Sequence, residues 1–97
     1  MTIKGILEEA NKFDCGDLFR DNFLTIIKSG CSNILNKLKI NKETELDHSH
    51  IDTIKINILD CILIKDVVGD KDERYYKYLR ELLESFCDLI LFYMYLG

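Results

Sequence analysis

The chain contains no proline and five glycines, at positions 5, 16, 30, 69 and 97. Sandwiches and barrels need a turn signal roughly every 8 to 12 residues, so this scarcity disfavours an all-β architecture and points to helices. No apolar run approaches the ~20 residues that span a bilayer. The longest, Leu89 to Leu96, is bordered by Asp88. The amino-terminal MTIKGILEEANKFD places Glu8 and Glu9 where a signal peptide needs its apolar region, and it lacks a small-residue cleavage site. A cytoplasmic location without membrane insertion is expected. Cys15, Cys31, Cys61 and Cys87 form no Cys-x-x-Cys pair, and in a reducing compartment they read as small buried apolar residues rather than as disulfides or a zinc site.

Motifs for chemistry are sparse as well. The sequence has no G-x-x-x-x-G-K and no G-x-G-x-x-G, and it lacks the two helix-borne Glu-x-x-His motifs of a bundle-type di-metal centre, its one such spacing, Glu45 to His48, falling in the polar 41–50 stretch, so nucleotide phosphates and that centre lack an anchor. The sole local constellation is Asp47-His48-Ser49-His50-Ile51-Asp52. A His-x-His-x-Asp spacing can offer nitrogen and carboxylate ligands together, as a metal hydrolase requires. Here a third histidine is missing from the chain, and Ser49 with Asp52 fits a helix capping box. The carboxylates at Glu8-Glu9, Asp70/Asp72-Glu73 and Glu81/Glu84 fall on polar faces or turns, where solvated charge is the ordinary explanation. No catalytic residue, metal or cofactor is assigned, and an enzyme is not expected.

What remains is a chain of 97 residues, 47% hydrophobic and 31% charged, which suits one globular domain over residues 1–97 with one core. The net charge of −4 opposes direct nucleic-acid binding, which needs clustered Lys and Arg. Charge is uneven along the chain. Between Asp21 and Glu43 it comes from Lys28, Lys37, Lys39 and Lys42 alone, whereas Glu43 to Glu73 holds nine acids against Lys55, Lys65 and Lys71.

Periodicity predicts an all-α fold, a compact bundle of about four helices. Thr2 is a helix cap, followed by Ile3, Ile6, Leu7, Ala10 and Phe13 at three- and four-residue steps. A second helix begins near Asp17 and carries an apolar stripe from Phe19 to Leu38. Gly30, beside Ser29 and Ser32, could split it, but the unbroken phase favours one kinked helix over two short ones. The polar stretch 41–50 reads as a loop. From Ser49, Ile51, Ile54, Ile58, Cys61 and Ile62 form one stripe and Ile56, Leu59, Leu63 and Val67 another, with Thr53, Asn57 and Asp60 as a narrow polar strip. Strict alternation over 54–58 keeps a strand open as the rival reading. After a turn at 69–73, the last helix lays Tyr75, Leu79, Leu82, Leu83, Phe86, Leu89, Ile90 and Tyr93 along its core face, with ion pairs expected at Lys77–Glu81 and Arg80–Glu84.

The polar face of that helix ends at Asp88, and Leu91, Phe92 and Tyr95 take over its positions. A helix that turns apolar all round is enclosed by its own domain or by a partner. Leu91, Phe92, Met94, Tyr95 and Leu96 are therefore expected to form a protein interface, with Asp70, Asp72 and Glu73 steering a basic partner. The alternative is that the first helix or the 41–50 loop folds over this end. Acidic helical proteins that inhibit or neutralise a nuclease or other nucleic-acid-handling protein share this profile as a class. A second copy of the chain is the other expected partner, as in a self-associating adaptor, and a metal hydrolase using His48 and His50 ranks third.

Overall fold

In a computed structural model that describes residues 1–60, 69 and 71–96, the Thr2 hydroxyl accepts the Gly5 amide at 3.0 Å and starts α1, Ile3–Lys12. A second free amide of its first turn, that of Lys4, donates to the Lys42 carbonyl at 3.0 Å. Loop and helix thus satisfy each other's main-chain groups. Ile3, Ile6 and Ala10 are buried, as their spacing predicts.

Gly16, at φ 78, turns the chain into α2, Asp17–Leu38, one uninterrupted helix of 22 residues. Gly30 does not split it. A Cβ there would lie 3.0 Å from both the Asn57 carbonyl oxygen and Ile58 Cγ1, so the glycine lets two backbones approach. α1 folds back along α2, and Arg20 donates to the Asn11 carbonyl at 2.8 Å to hold the two together. Lys39 ends α2 in the left-handed region, at φ 54 and ψ 43.

The 41–50 loop is pinned at Leu46, its one aliphatic residue, which is buried and whose amide donates to the Met1 carbonyl at 2.8 Å. A 3-10 turn, His48–His50, leads into α3, Ile51–Lys55, and then into a π-turn, Ile56–Asp60. Residues 53–59 are therefore helical, which closes the strand alternative. The cap differs from the expected one. Asp47, not Ser49, accepts the Ser49 amide at 2.9 Å, while His50 Nδ1 accepts the Asp47 amide at 3.1 Å. The two groups form a capping box two residues earlier than the Ser49/Asp52 pair.

The wider π register also changes which residues face inward. Ile54 and Ile58 are buried as expected, but Ile56 is exposed and Asn57 is buried at 1% exposure. Asn57 Nδ2 donates to the Thr53 carbonyl at 2.7 Å, and Oδ1 finds no donor among the described residues. The expected continuation of this stripe through Cys61, Ile62, Leu63 and Val67 lies outside the described residues.

The last helix, α4, runs Glu73–Leu96. The Asp72 carboxylate accepts the Arg74 amide at 2.8 Å, an N-terminal cap. Leu79, Leu83, Phe86, Cys87, Ile90 and Met94 are buried. The inward stripe therefore ends on Met94, one residue past the expected Tyr93, which is exposed. Arg80 pairs with Glu84 at 3.2 Å and donates to the Leu59 carbonyl at 2.8 Å, tying α4 to the π-turn. Lys77 and Glu81 form no ion pair among the described residues. Phe13, Phe23 and Phe86 meet at centroid separations of 5.3 to 5.5 Å, so one aromatic cluster joins α1, α2 and α4. The protein is an all-α bundle, and its described residues share one apolar core.

Candidate interaction surface

The carboxyl-terminal turns of α4 divide their residues between core and solvent. Met94 is 6% exposed and packs in the core, so it does not belong to the surface expected of it. Leu91 is half-buried against the same core. Phe92, Tyr95 and Leu96 stand out at 57, 71 and 70% exposure. Tyr93 extends the patch. Large apolar side chains exposed side by side are uncommon on soluble monomers, and tyrosine and phenylalanine are enriched where proteins meet.

The 41–50 loop folds against one side of this end, as the alternative reading expected. It covers Met94 and leaves the three outermost side chains bare. The His48 ring lies 5.0 Å from that of Tyr95. Beside them is a depression of about 550 Å³, whose lining includes Met1, Glu45, Asp47, His48, Ser49 and Met94. Its charged groups are the Glu45 and Asp47 carboxylates and the Met1 ammonium, which pairs with Glu45. The Ser49 hydroxyl and amide both donate to Asp47 and hold its carboxyl below the usual carboxylate range, with smaller help from the two histidines. Asp47 therefore remains ionised at neutral pH, and an aromatic patch sits directly beside fixed negative charge.

The acids expected to steer a partner are elsewhere. Asp72 and Glu73 are exposed at the opposite end of α4, and Asp70 lies outside the described residues. At a rise of ~1.5 Å per residue, Glu73 and Tyr95 are about 33 Å apart along the helix. One interface face of about 800 Å² per partner is roughly that wide in total, so the two groups do not form one compact patch. Asp72 caps α4. The acids that do border the apolar end, Glu45 and Asp47, come from the loop. Sequence reading placed them in an acidic stretch, but their position beside Tyr95 depends on the buried anchor Leu46.

The histidines have separate tasks. His50 Nδ1 is occupied by the Asp47 amide, and the His48 ring lies tilted against that of Tyr95. Among the described residues, no three His, Cys, Asp or Glu side chains converge to hold a metal ion. The tyrosines that open α4 are mostly structural. The Tyr75 hydroxyl accepts from Asn22 at 2.7 Å and donates to the Leu18 carbonyl at 3.1 Å, with its ring against Phe19. Tyr76 reaches back to the Gly69 carbonyl and accepts the Lys71 amide, clamping the turn before α4. No helix among the described residues is long and apolar enough to cross a membrane. Comparison with protein-family models, with curated proteins and with solved structures returns no match to this chain.

Proposed function

We propose that the chain is a non-catalytic binding protein of the cytoplasm that docks through the carboxyl-terminal end of α4 onto a basic protein. The observation that carries this reading is the bare apolar cluster of Phe92, Tyr95 and Leu96, with Tyr95 against His48 and so next to the ionised Asp47. Apolar anchors supply affinity once water is excluded, and adjacent carboxylates select a partner with lysines or arginines in register. A nuclease or another nucleic-acid-handling protein presents such a basic surface, so neutralising one is the role that fits best.

The same face argues against a symmetric pair of copies. A two-fold dimer through Tyr95 would bring the Asp47 carboxylates of both chains toward one another, and like charges across an interface oppose association. The reading is tested by affinity capture from the native host with the wild type and an F92S/Y95S/L96S variant as baits. A basic protein held by the wild type and lost by the variant, with the thermal midpoint kept, supports it. Equal capture by both baits, or a concentration-dependent mass for the wild type alone, refutes it.

A further inference from the structure

A second concavity lies on a different face, in the seam where α1 folds back along α2. It has a volume of about 340 Å³ and is walled by Leu7, Leu24, Ile27 and Leu35, near the lower end of the roughly 300–1,000 Å³ found for small-molecule sites. Its charged lining residues are Lys28 and Lys42, with no aspartate or glutamate, although the chain as a whole carries −4. Neither lysine has an ion-pair partner among the described residues. The main chain of Lys42 is fixed, because its carbonyl accepts the Lys4 amide at 3.0 Å at the start of α1.

We propose that this groove binds a small anionic amphiphile, an aliphatic monocarboxylate of medium chain length, with its chain between α1 and α2 and its head group at Lys42, Lys28 adding to the positive field from further along α2. Apolar walls with a cation held beside the first turn of α1 match a molecule that is apolar along its length and anionic at one end. Lysine presents a compact point charge and not the flat fork of arginine, which suits a single carboxylate. The charge of Lys42 also reaches into the groove. Burial raises the thiol of Cys31, in the lining, and Lys42 opposes that rise. The groove is small, so the ligand is a short chain and not a two-chain lipid.

The test is titration of the full chain with hexanoate, octanoate and decanoate, followed by calorimetry and by amide chemical shifts. Saturable one-to-one binding is expected, rising about fourfold per methylene until the groove is filled, with shifts centred on Leu7, Leu24, Ile27 and Leu35. A K28Q/K42Q variant changes two exposed side chains and should keep its thermal midpoint while binding octanoate roughly tenfold more weakly. Neutral 1-octanol should likewise bind less well than octanoate. The proposal is overturned if binding does not saturate, if the double variant binds as tightly as the wild type, or if shifts centre on Phe92 to Leu96. Binding of an acidic leucine-containing peptide without binding of octanoate would overturn it too, by identifying a protein segment as the occupant.

Discussion

Gly30 in the middle of α2 sits so close to the main chain of Asn57 that a single methyl group would lie 3.0 Å from the Asn57 carbonyl oxygen. Glycine in a helix interior costs about 1 kcal/mol relative to alanine, and here that cost is offset by the close crossing of α2 and the π-turn. Replacing Gly30 with alanine should therefore destabilise the protein by roughly 1 to 3 kcal/mol, the usual range for overpacking. The control is Gly5 in α1, where a new Cβ would meet the flexible Met1 side chain at 3.0 Å and the Thr2 hydroxyl at 3.3 Å. Gly5→Ala should be neutral or stabilising, by up to about 1 kcal/mol. Urea unfolding of the two variants checks this, and a stabilised Gly30→Ala would show that the crossing can open without loss.

The same contact marks how far the sequence could be read. α1, α2 and α4 were legible because their apolar residues recur in strict helical phase and Thr2 and Asp17 mark starts. The third helical segment was legible in type but not in register. Its π-turn inserts a wider step after Lys55, which turns Asn57 inward and Ile56 outward, and this wider step leaves no signal in spacing that assumes 3.6 residues per turn. The cap failed for a related reason. Ser49/Asp52 and Asp47/His50 are both plausible boxes in sequence, and the loop path set by buried Leu46 decides between them. The exposed end of α4 was anticipated as apolar. Its acidic border was not, because residues 45–47 and 92–96 meet only through tertiary packing.

Lys39 offers a second stability test. It ends α2 with φ 54 and ψ 43, and the Ile40 amide donates back to Leu35 O at 3.3 Å. A side chain in the left-handed region costs ~1 to 2 kcal/mol, and glycine is the usual occupant of such a C-terminal position. Lys39→Gly should raise stability by about 0.5 to 1 kcal/mol, after allowing for the greater entropy glycine adds to the unfolded chain. A lowered thermal midpoint would mean that the lysine side chain makes a contact outweighing the strain.

The buried thiols set a limit at alkaline pH. Burial pushes Cys31 and Cys87 from the ordinary 9.0 up to about 12, with nearby Asp88 adding to the rise at Cys87. A raised acid keeps its proton in the folded state while the unfolded chain releases it. The linked stability is fully present below 9.0 and is lost as pH rises toward about 12. The thermal midpoint should therefore fall from about pH 9 to about pH 11 more steeply for the wild type than for a C31A/C87A variant, even though the variant starts lower. Alkylation at neutral pH should leave both thiols unmodified until the protein unfolds. Parallel alkaline slopes for the two proteins would remove the thiols as the cause.

Met94 and Tyr95 are neighbours in sequence with opposite surroundings, and their substitution separates folding from recognition. Met94 is 6% exposed within the core, whereas Tyr95 is 71% exposed and leans on His48. Met94→Ala removes buried methylenes and leaves a cavity, and should cost about 2 to 5 kcal/mol of stability. Tyr95→Ser removes one exposed ring contact and should change stability by roughly 0.5 kcal/mol or less. If the end of α4 is the docking face, the partner captured by the wild type should be retained by Met94→Ala below its unfolding temperature and weakened by Tyr95→Ser. The opposite result would place recognition away from Tyr95. Should Tyr95→Ser instead unfold the protein, the patch around Phe92, Tyr95 and Leu96 belongs to the core, because a side chain needed only for a partner leaves the free chain's unfolding unchanged.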